Sequence, residues 1–100
     1  MLEINESNYS TETSSGVVVL DFYADWCGPC RALSPTLEKI TGAKICKVNV
    51  DHNQKLALDH EVSAIPKLVF MKDGKVVDSM TGVSPQSTIQ AKVDALNDER

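Results

Sequence analysis

Two cysteines, Cys27 and Cys30, stand two residues apart in the run DWCGPCRALSP (25–35). Such a pair can form a structural disulfide, half of a metal site, or a dithiol that cycles between thiol and disulfide. A structural disulfide here would close so short a loop that it would restrict the unfolded chain only slightly. The spacing therefore disfavours a purely stabilising cross-link.

Metal binding is also disfavoured by the residues outside the pair. A zinc site needs about four ligands, and the other candidates are carboxylates and Cys46, His52 and His60, with no second CxxC or HxxxH unit. We interpret Cys46 as a small apolar side chain buried in a strand, and the histidines as helix-surface or cap residues. No metal or cofactor is predicted, which leaves redox chemistry as the favoured use of the pair.

The flanking segments predict where the cysteines lie. The run VVVLDFYA (17–24) is almost continuously β-branched or aromatic, which is typical of a strand buried on both faces. After the pair, Gly42 marks a helix C-terminus, and apolar residues recur at helical spacing at Ala32, Leu33, Leu37 and Ile40. The cysteines therefore occupy a strand-to-helix turn, where unpaired N–H groups and the helix dipole favour thiolate over thiol.

This position predicts unequal roles for the two cysteines. Cys27 comes first in the turn, beside Trp26 on a partly exposed rim, and is the expected nucleophile. Cys30 lies one turn further along the helix, is expected to be less exposed, and is placed to resolve a mixed disulfide on Cys27. Gly28 permits a tight turn and Pro29 stiffens it.

The remaining segments predict further strands and helices. LEIN (2–5) resembles a short edge strand, followed by a weak helix capped by Ser7. KICKVNV (44–50) predicts a strand, and Asp51 or Asn53 is expected to cap a short helix over residues 54–60.

The C-terminal part predicts a hairpin and a last helix. Strands 67–71 and 76–80 flank the turn residues Asp73-Gly74. Ser84 is expected as the N-cap and Pro85 as the first helical residue of a helix, whose apolar face consists of Ile89, Val93 and Leu96.

The predicted order is β-α-β-α-β-α-β-β-α. Strands joined through helices are expected to be parallel, while the last hairpin adds antiparallel strands. The result is an α/β fold with a mixed central sheet and helices on both faces, in which strands 17–24 and 44–50 are central. We expect one domain spanning residues 1–100.

Net charge and composition limit the classes of partner and the compartment expected for this chain. The formal net charge is −4 and there is no basic run, which argues against nucleic acid or an anionic membrane as a partner. The start MLEINESNYSTETSS has neither a basic n-region nor an apolar h-region, and no apolar run approaches a bilayer span. These features predict a cytoplasmic protein, in which a close cysteine pair is more often catalytic or metal-binding than structural.

Three stretches together resemble the thioredoxin family: DFYADWCGPC (21–30), AIPKLVFMKDGK (64–75) and Gly82. They occur in the family's order and spacing, and the resemblance covers essentially the whole chain. It implies the thioredoxin fold and a redox-active disulfide that carries electrons to disulfides in protein substrates. It also implies a role in cell redox homeostasis, recycling by a thioredoxin reductase, and a monomer.

Asp21 and Lys47 gain roles from this resemblance. A charge within a buried strand is costly, so burial is expected to raise the pKa of Asp21, unless it is a strand-end aspartate that faces water. The resemblance implies that Asp21 passes a proton to or from Cys30, and that Lys47 approaches this carboxylate. An exposed Lys47 is the alternative.

The resemblance also implies a binding surface around Cys27. It makes the Ile65–Pro66 bond cis and leaves the backbone of Ile65 free to pair with an extended substrate segment. The substrate-binding residues implied are Trp26, Gly28, Pro29, Ile65, Pro66, Gly82 and Val83.

One residue departs from the family pattern, and one other function stays open. Lys67 stands where the family usually has threonine, so its cation either stabilises the Cys27 thiolate, biases substrate docking, or is simply solvated. A non-catalytic binding or scaffold subunit with the same fold is the alternative function. The presence of both cysteines favours the disulfide reductant.

Overall fold

The structure is a computed structural model, and it describes residues 1–99. Five strands and four helices follow the predicted order. Their bounds are β1 (Leu2–Glu3), α1 (Tyr9–Glu12), β2 (Val17–Tyr23), α2 (Gly28–Leu37), β3 (Lys44–Asn49), α3 (Gln54–Asp59), β4 (Lys67–Lys72), β5 (Lys75–Thr81) and α4 (Gln86–Asn97).

The strands form one mixed sheet in the order β1-β3-β2-β4-β5. The pairs β1–β3 and β2–β3 are parallel, while β4 is antiparallel to both β2 and β5. The apolar run 17–24 thus forms the middle strand, and 44–50 forms an internal strand beside it, as predicted. At the hairpin turn Asp73 and Gly74 both have positive φ, 50° and 85°, the geometry of a tight two-residue hairpin turn.

Two apolar clusters form the core, one on each face of the sheet. Leu33 and Leu37 of α2 pack with Ile89 and Val93 of α4 on one face. On the other face Leu56 of α3 belongs to the second cluster, and Tyr9 of α1 packs against it. The predicted arrangement of helices on both faces of a central sheet is confirmed.

Helix α2 is shorter than the sequence pattern predicts. It ends at Leu37, because the next N–H groups turn back more tightly: Lys39 N–H donates to Thr36 O and Ile40 N–H to Leu37 O. Ile40 nevertheless packs in the core from this turn. Gly42 has φ +87° and lies in the connection to β3, so the prediction that it ends the helix is wrong.

Two predicted helix caps also differ from the structure. Asn8, not Ser7, precedes α1, and the side chain of Asn5 accepts the backbone N–H groups of Ser7 and Asn8 at 2.9 and 3.1 Å. Pro85 is the N-cap of α4 rather than its first residue, because its ψ of 150° is extended. In the part of the chain that the structure describes, no helix is both long enough and apolar enough to cross a membrane.

Candidate active site

Cys27 and Cys30 form a disulfide at the junction of β2 and α2, with their Cα atoms 5.3 Å apart. Cys27 is the N-cap of α2, and its sulfur accepts the backbone N–H of Cys30 at 3.2 Å. The first N–H groups of a helix lack partners within the helix, so the Cys27 sulfur lies where negative charge is favoured. The predicted strand-to-helix position of the pair is confirmed.

The predicted difference in exposure between the two cysteines is wrong. Cys27 is 4% exposed and Cys30 is 3% exposed, so both are buried. The reason is local packing, since Val50 and Ile65 contact the small cluster formed by the cysteines and Ala24. Trp26 alone matches the expected rim position, with 69% of its surface exposed.

Asp21 is a buried carboxylate in β2, only 2% exposed, and its Oδ1 has no hydrogen-bond partner among the described residues. Burial raises the pKa of this carboxyl from 3.8 to about 7, while the charge of Lys47 acts in the opposite direction. The expectation of a buried carboxylate with a raised pKa is confirmed, and a strand-end aspartate facing water is excluded.

Asp21 and Cys30 share a cavity of about 160 Å³, which we call the Asp21 cavity. Lys47 and Ser34 also line it. Such a cavity is polar and large enough to hold water that bridges its polar groups. The carboxyl of Asp21 and the side chain of Cys30 thus line the same cavity, behind the disulfide.

Lys47 lies beside Asp21, as the family resemblance implies, but its side chain is also partly exposed. It is the direct cross-strand partner of Asp21 and lines the Asp21 cavity. Its ammonium nevertheless lies 3.9 Å from Glu3 Oε1 and 5.6 Å from the ring centroid of Tyr23, and its side chain is 36% exposed. Lys47 thus stabilises the Asp21 carboxylate from a partly solvated position.

An apolar groove of about 350 Å³ lies beside the disulfide and is called the Trp26 groove. It is lined by Trp26, Val50, Ala57, Val62, Ser63, Ala64 and Ile65. The indole N–H of Trp26 donates to Asp51 Oδ2 at 2.9 Å. The sequence predicted Trp26 and Ile65 as part of this surface. It did not predict Asp51 or the other residues that line the groove, because no local pattern marks residues that come into contact only in the folded chain.

The other predicted surface residues also lie near this end of the sheet. The Ile65–Pro66 bond is cis, as expected. Gly82 N–H donates to Pro66 O at 2.8 Å, which places Gly82 beside the proline, and Val83 is 55% exposed. Gly28 and Pro29 are exposed in the first turn of α2.

Comparison with known proteins gives a consistent result. The family model described as Thioredoxin matches residues 1–95. The chain belongs to the thioredoxin family. The thioredoxin of Bacillus subtilis (strain 168) is 40% identical over 98 residues, covering 93% of this chain and 94% of that relative. A thioredoxin of Staphylococcus epidermidis is 36% identical over 99 residues, covering 94% and 95%.

Solved structures agree with the sequence comparison. A mutant thioredoxin from Halobacterium salinarum NRC-1 superposes with a TM-score of 0.92 at 32% identity, covering 99% of this chain and 92% of that one. The chain therefore has the thioredoxin fold. With a Cys27–Cys30 disulfide in place, it is a thiol–disulfide oxidoreductase of a family that reduces protein disulfides.

Lys67, which departs from the family pattern, bonds to the backbone after α3. Its Nζ donates to His60 O at 2.8 Å and to Glu61 O at 3.4 Å. These carbonyls follow the last turn of α3, where partial negative charge attracts a cation. The ammonium is therefore bonded to carbonyls at the end of a helix, so Lys67 is not simply solvated.

Cys46 and His60 lie outside the cysteine motif, and both are at least partly buried. Cys46 is a free, fully buried cysteine, and burial raises the pKa of its thiol, as expected of a core side chain. His60 caps the C-terminus of α3, but it is half-buried rather than on the helix surface, with its Nε2 2.8 Å from the hydroxyl of Tyr9. Burial lowers the pKa of His60.

Proposed function

We propose that Cys27 attacks substrate disulfides and that Cys30 resolves the resulting mixed disulfide. The observation that carries this assignment is the position of Cys27 as the N-cap of α2, with its sulfur accepting the Cys30 N–H. A thiolate at this site receives charge-assisted hydrogen bonding that a thiol does not. Cys30, which lines the Asp21 cavity, has access to a proton acceptor instead.

In the first step the Cys27 thiolate attacks one sulfur of a substrate disulfide. The Cys27–substrate S–S bond forms as the substrate's own S–S bond breaks. The departing substrate sulfur leaves with the electron pair of the broken bond and is protonated. The second substrate sulfur stays bonded to Cys27, and its release by Cys30 completes the two-electron reduction.

In the second step Asp21 accepts the proton of the Cys30 thiol, through water in the Asp21 cavity. The Cys30 thiolate attacks the Cys27 sulfur, the Cys27–substrate bond breaks, and the second substrate sulfur leaves as a thiolate, which takes up a proton from Asp21 or from solvent. The protein then holds the Cys27–Cys30 disulfide, the state that the structure shows. A carboxyl with a pKa of about 7 is suited to accept and return a proton near neutral pH.

Lys47 adjusts this acid–base group in our proposal. Its charge lowers the pKa of Asp21 against the larger effect of burial. The lysine thereby favours the ionised form of the carboxyl.

Substrate binding is proposed for the surface around the disulfide. Trp26 and Val83 are exposed apolar side chains, and Ile65 joins Trp26 in the Trp26 groove. An extended peptide segment fits such a surface, with its backbone beside Ile65 and its side chains in the groove. The other proposed contacts are Gly28, Pro29, Pro66 and Gly82, which lie in the turns that flank the disulfide.

We also propose a recycling partner, a compartment and an oligomeric state for this protein. A thioredoxin reductase would return two electrons to the Cys27–Cys30 disulfide, since the cycle consumes the dithiol. A dithiol reductant is regenerated most readily in a reducing compartment, which supports a cytoplasmic site of action for a monomer built as one domain.

Trapping with Cys30→Ser tests the assignment. Without the resolving thiol, mixed disulfides on Cys27 should accumulate when the reduced variant meets a protein that contains a disulfide, and dithiothreitol should release them. Cys27→Ser is the matched control and should trap little. Equal trapping by the two variants, or trapping through Cys46, would overturn the proposed roles.

A further inference from the structure

The connection from α3 to β4, residues 60–66, is held at its start by a side chain from β4, the strand that follows it. Lys67 begins β4, and its Nζ donates to His60 O at 2.8 Å and to Glu61 O at 3.4 Å. The two ends of the connection are therefore joined by the ammonium group as well as by the chain.

The bonded carbonyls are a favourable partner for this cation. The last carbonyls of a helix lack partners within the helix and carry partial negative charge. Glu61 also has a φ of 56°, a conformation that residues other than glycine rarely adopt. The Lys67 bonds thus hold a segment whose backbone is locally unfavourable.

The same connection forms one side of the Trp26 groove. Val62, Ser63, Ala64 and Ile65 line the groove together with Trp26. Ile65 also packs against the cluster that contains both cysteines. Any shift of the connection therefore changes the width of the groove beside the disulfide.

We propose that Lys67 is a positioning residue, which sets the affinity for protein substrates by fixing residues 61–65 at the edge of the Trp26 groove. The inference rests on the proposed function, in which this groove receives a substrate segment. It assigns the lysine to binding, with no effect on the chemistry of the thiols. Lys67 acts through the loop and does not itself need to touch the substrate.

Steady-state reduction of a protein disulfide and of a small aromatic disulfide tests this role. Lys67→Met keeps an apolar stem and removes the donors, Lys67→Arg keeps the donors, and Lys75→Met alters an exposed lysine of β5 as a control. For Lys67→Met we expect KM for the protein substrate to rise about three- to tenfold, a fraction of the value of a charged hydrogen bond. Its kcat, and the rate with the small disulfide, should stay within about twofold of the parent.

Recovery and local dynamics separate positioning from general stability. Lys67→Arg should recover most of the parent KM, and amide hydrogen exchange at residues 61–65 should accelerate in Lys67→Met but not in Lys75→Met. An unchanged KM in a folded Lys67→Met variant would overturn the proposal, as would a parallel loss of both activities. If Lys67→Met does not fold, Lys67→Gln replaces it with the same expected KM rise.

A further variant distinguishes failure of this inference from failure of the proposed function. Trp26→Ala should raise KM for the protein substrate if the Trp26 groove binds it. A rise with Trp26→Ala but none with Lys67→Met would overturn only the role of Lys67. No rise with either variant would overturn both the groove as a substrate site and the role of Lys67.

Discussion

Asp21 and Lys47 are direct partners on the adjacent parallel strands β2 and β3, yet their charged groups have different surroundings. The carboxyl is 2% exposed with one oxygen unpartnered among the described residues, whereas the ammonium lies 3.9 Å from Glu3 Oε1 and its side chain is 36% exposed. The attraction therefore offsets only part of the cost of burial, and the pKa of Asp21 stays at about 7.

Asp21→Asn should slow the release step more than the first attack. The amide cannot accept the proton of Cys30, while the N–H of Cys30 still stabilises the Cys27 thiolate. We expect about a 10²-fold loss in the release rate, within the usual range for removing a general base, and less than about a threefold loss in the attack rate. Single-turnover kinetics of mixed-disulfide formation and decay measure the two steps separately.

The pH profile gives this prediction a control. In the parent protein the release rate should rise with pH through about 7, the pKa of Asp21, as the carboxylate forms. Asp21→Asn should lack this rise. Equal slowing of both steps, or a variant that keeps the parental profile, would contradict the role of Asp21 as the proton acceptor.

Stability should also depend on the ionisation of Asp21. Because its pKa in the folded protein, about 7, exceeds its ordinary value of 3.8, the folded state holds this proton more tightly than the unfolded state. The resulting stabilisation is complete below the ordinary value and is lost as pH rises through about 7. The difference corresponds to about 4 kcal/mol as an upper limit.

Denaturant unfolding of the oxidised protein at pH 5 and pH 8 measures this effect. The parent should lose free energy of unfolding between these pH values, relative to Asp21→Asn, which has no charge to bury. His60 acts in the opposite sense, since its lowered pKa removes stability as pH falls, but it is common to both proteins and cancels in the comparison. Parallel pH profiles for the two proteins would rule out a raised Asp21 pKa.

The sequence was sufficient for elements with strong local signals. The run 17–24 and the turn Asp73-Gly74 predict a buried strand and a tight hairpin because their residue types favour few other conformations. The end of α2 was not predictable in the same way, because Ile40 keeps helical spacing while it packs in the core from a tighter turn.

The candidate site was predictable where chemistry is encoded locally. Cys27, Cys30 and Asp21 could be assigned because a CxxC pair and a carboxylate inside an apolar strand are unusual. The burial of Cys27 and the hydrogen bonds of Lys67 depend on contacts formed by the fold. Val50 and Ile65 pack against the cysteines, and the backbone carbonyl of His60 at the end of α3 accepts a hydrogen bond from Lys67. Such contacts become visible only once the chain is folded.

Cys46 offers a test of core packing that is separate from redox function. It is fully buried in β3, opposite Leu20 of the central strand. Cys46→Ser should destabilise the protein by about 1–3 kcal/mol, because a hydroxyl would replace a weakly polar thiol in an apolar cluster. Cys46→Ala should cost less, since it adds no polar group.

Chemical denaturation of both variants, with a disulfide-reduction assay in parallel, checks this expectation. Activity should remain within about twofold of the parent once folded protein is compared, since thiol exchange needs an accessible thiolate and Cys46 is buried. A large loss of activity in the stable Cys46→Ala variant would show that Cys46 takes part in the redox cycle.

The bond between Trp26 and Asp51 should orient the indole for substrate binding. Trp26 is 69% exposed, so few packing contacts fix its ring, while its N–H donates to Asp51 Oδ2 at 2.9 Å. Asp51→Ala should raise KM for a protein disulfide about two- to fivefold, the value of roughly one modest hydrogen bond, and leave kcat unchanged. Trp26 is the single tryptophan of the chain, so its fluorescence anisotropy reports the loosened ring directly.

A double-mutant cycle tests whether Asp51 acts through Trp26. Trp26→Phe keeps an aromatic ring but cannot donate a hydrogen bond, so Asp51→Ala should add little to its KM when the two changes are combined. Fully additive effects would mean that Asp51 influences binding by another route, such as its own negative charge near the groove. Repeating the cycle at high salt separates these cases, because screening weakens a long-range charge effect more than a direct hydrogen bond.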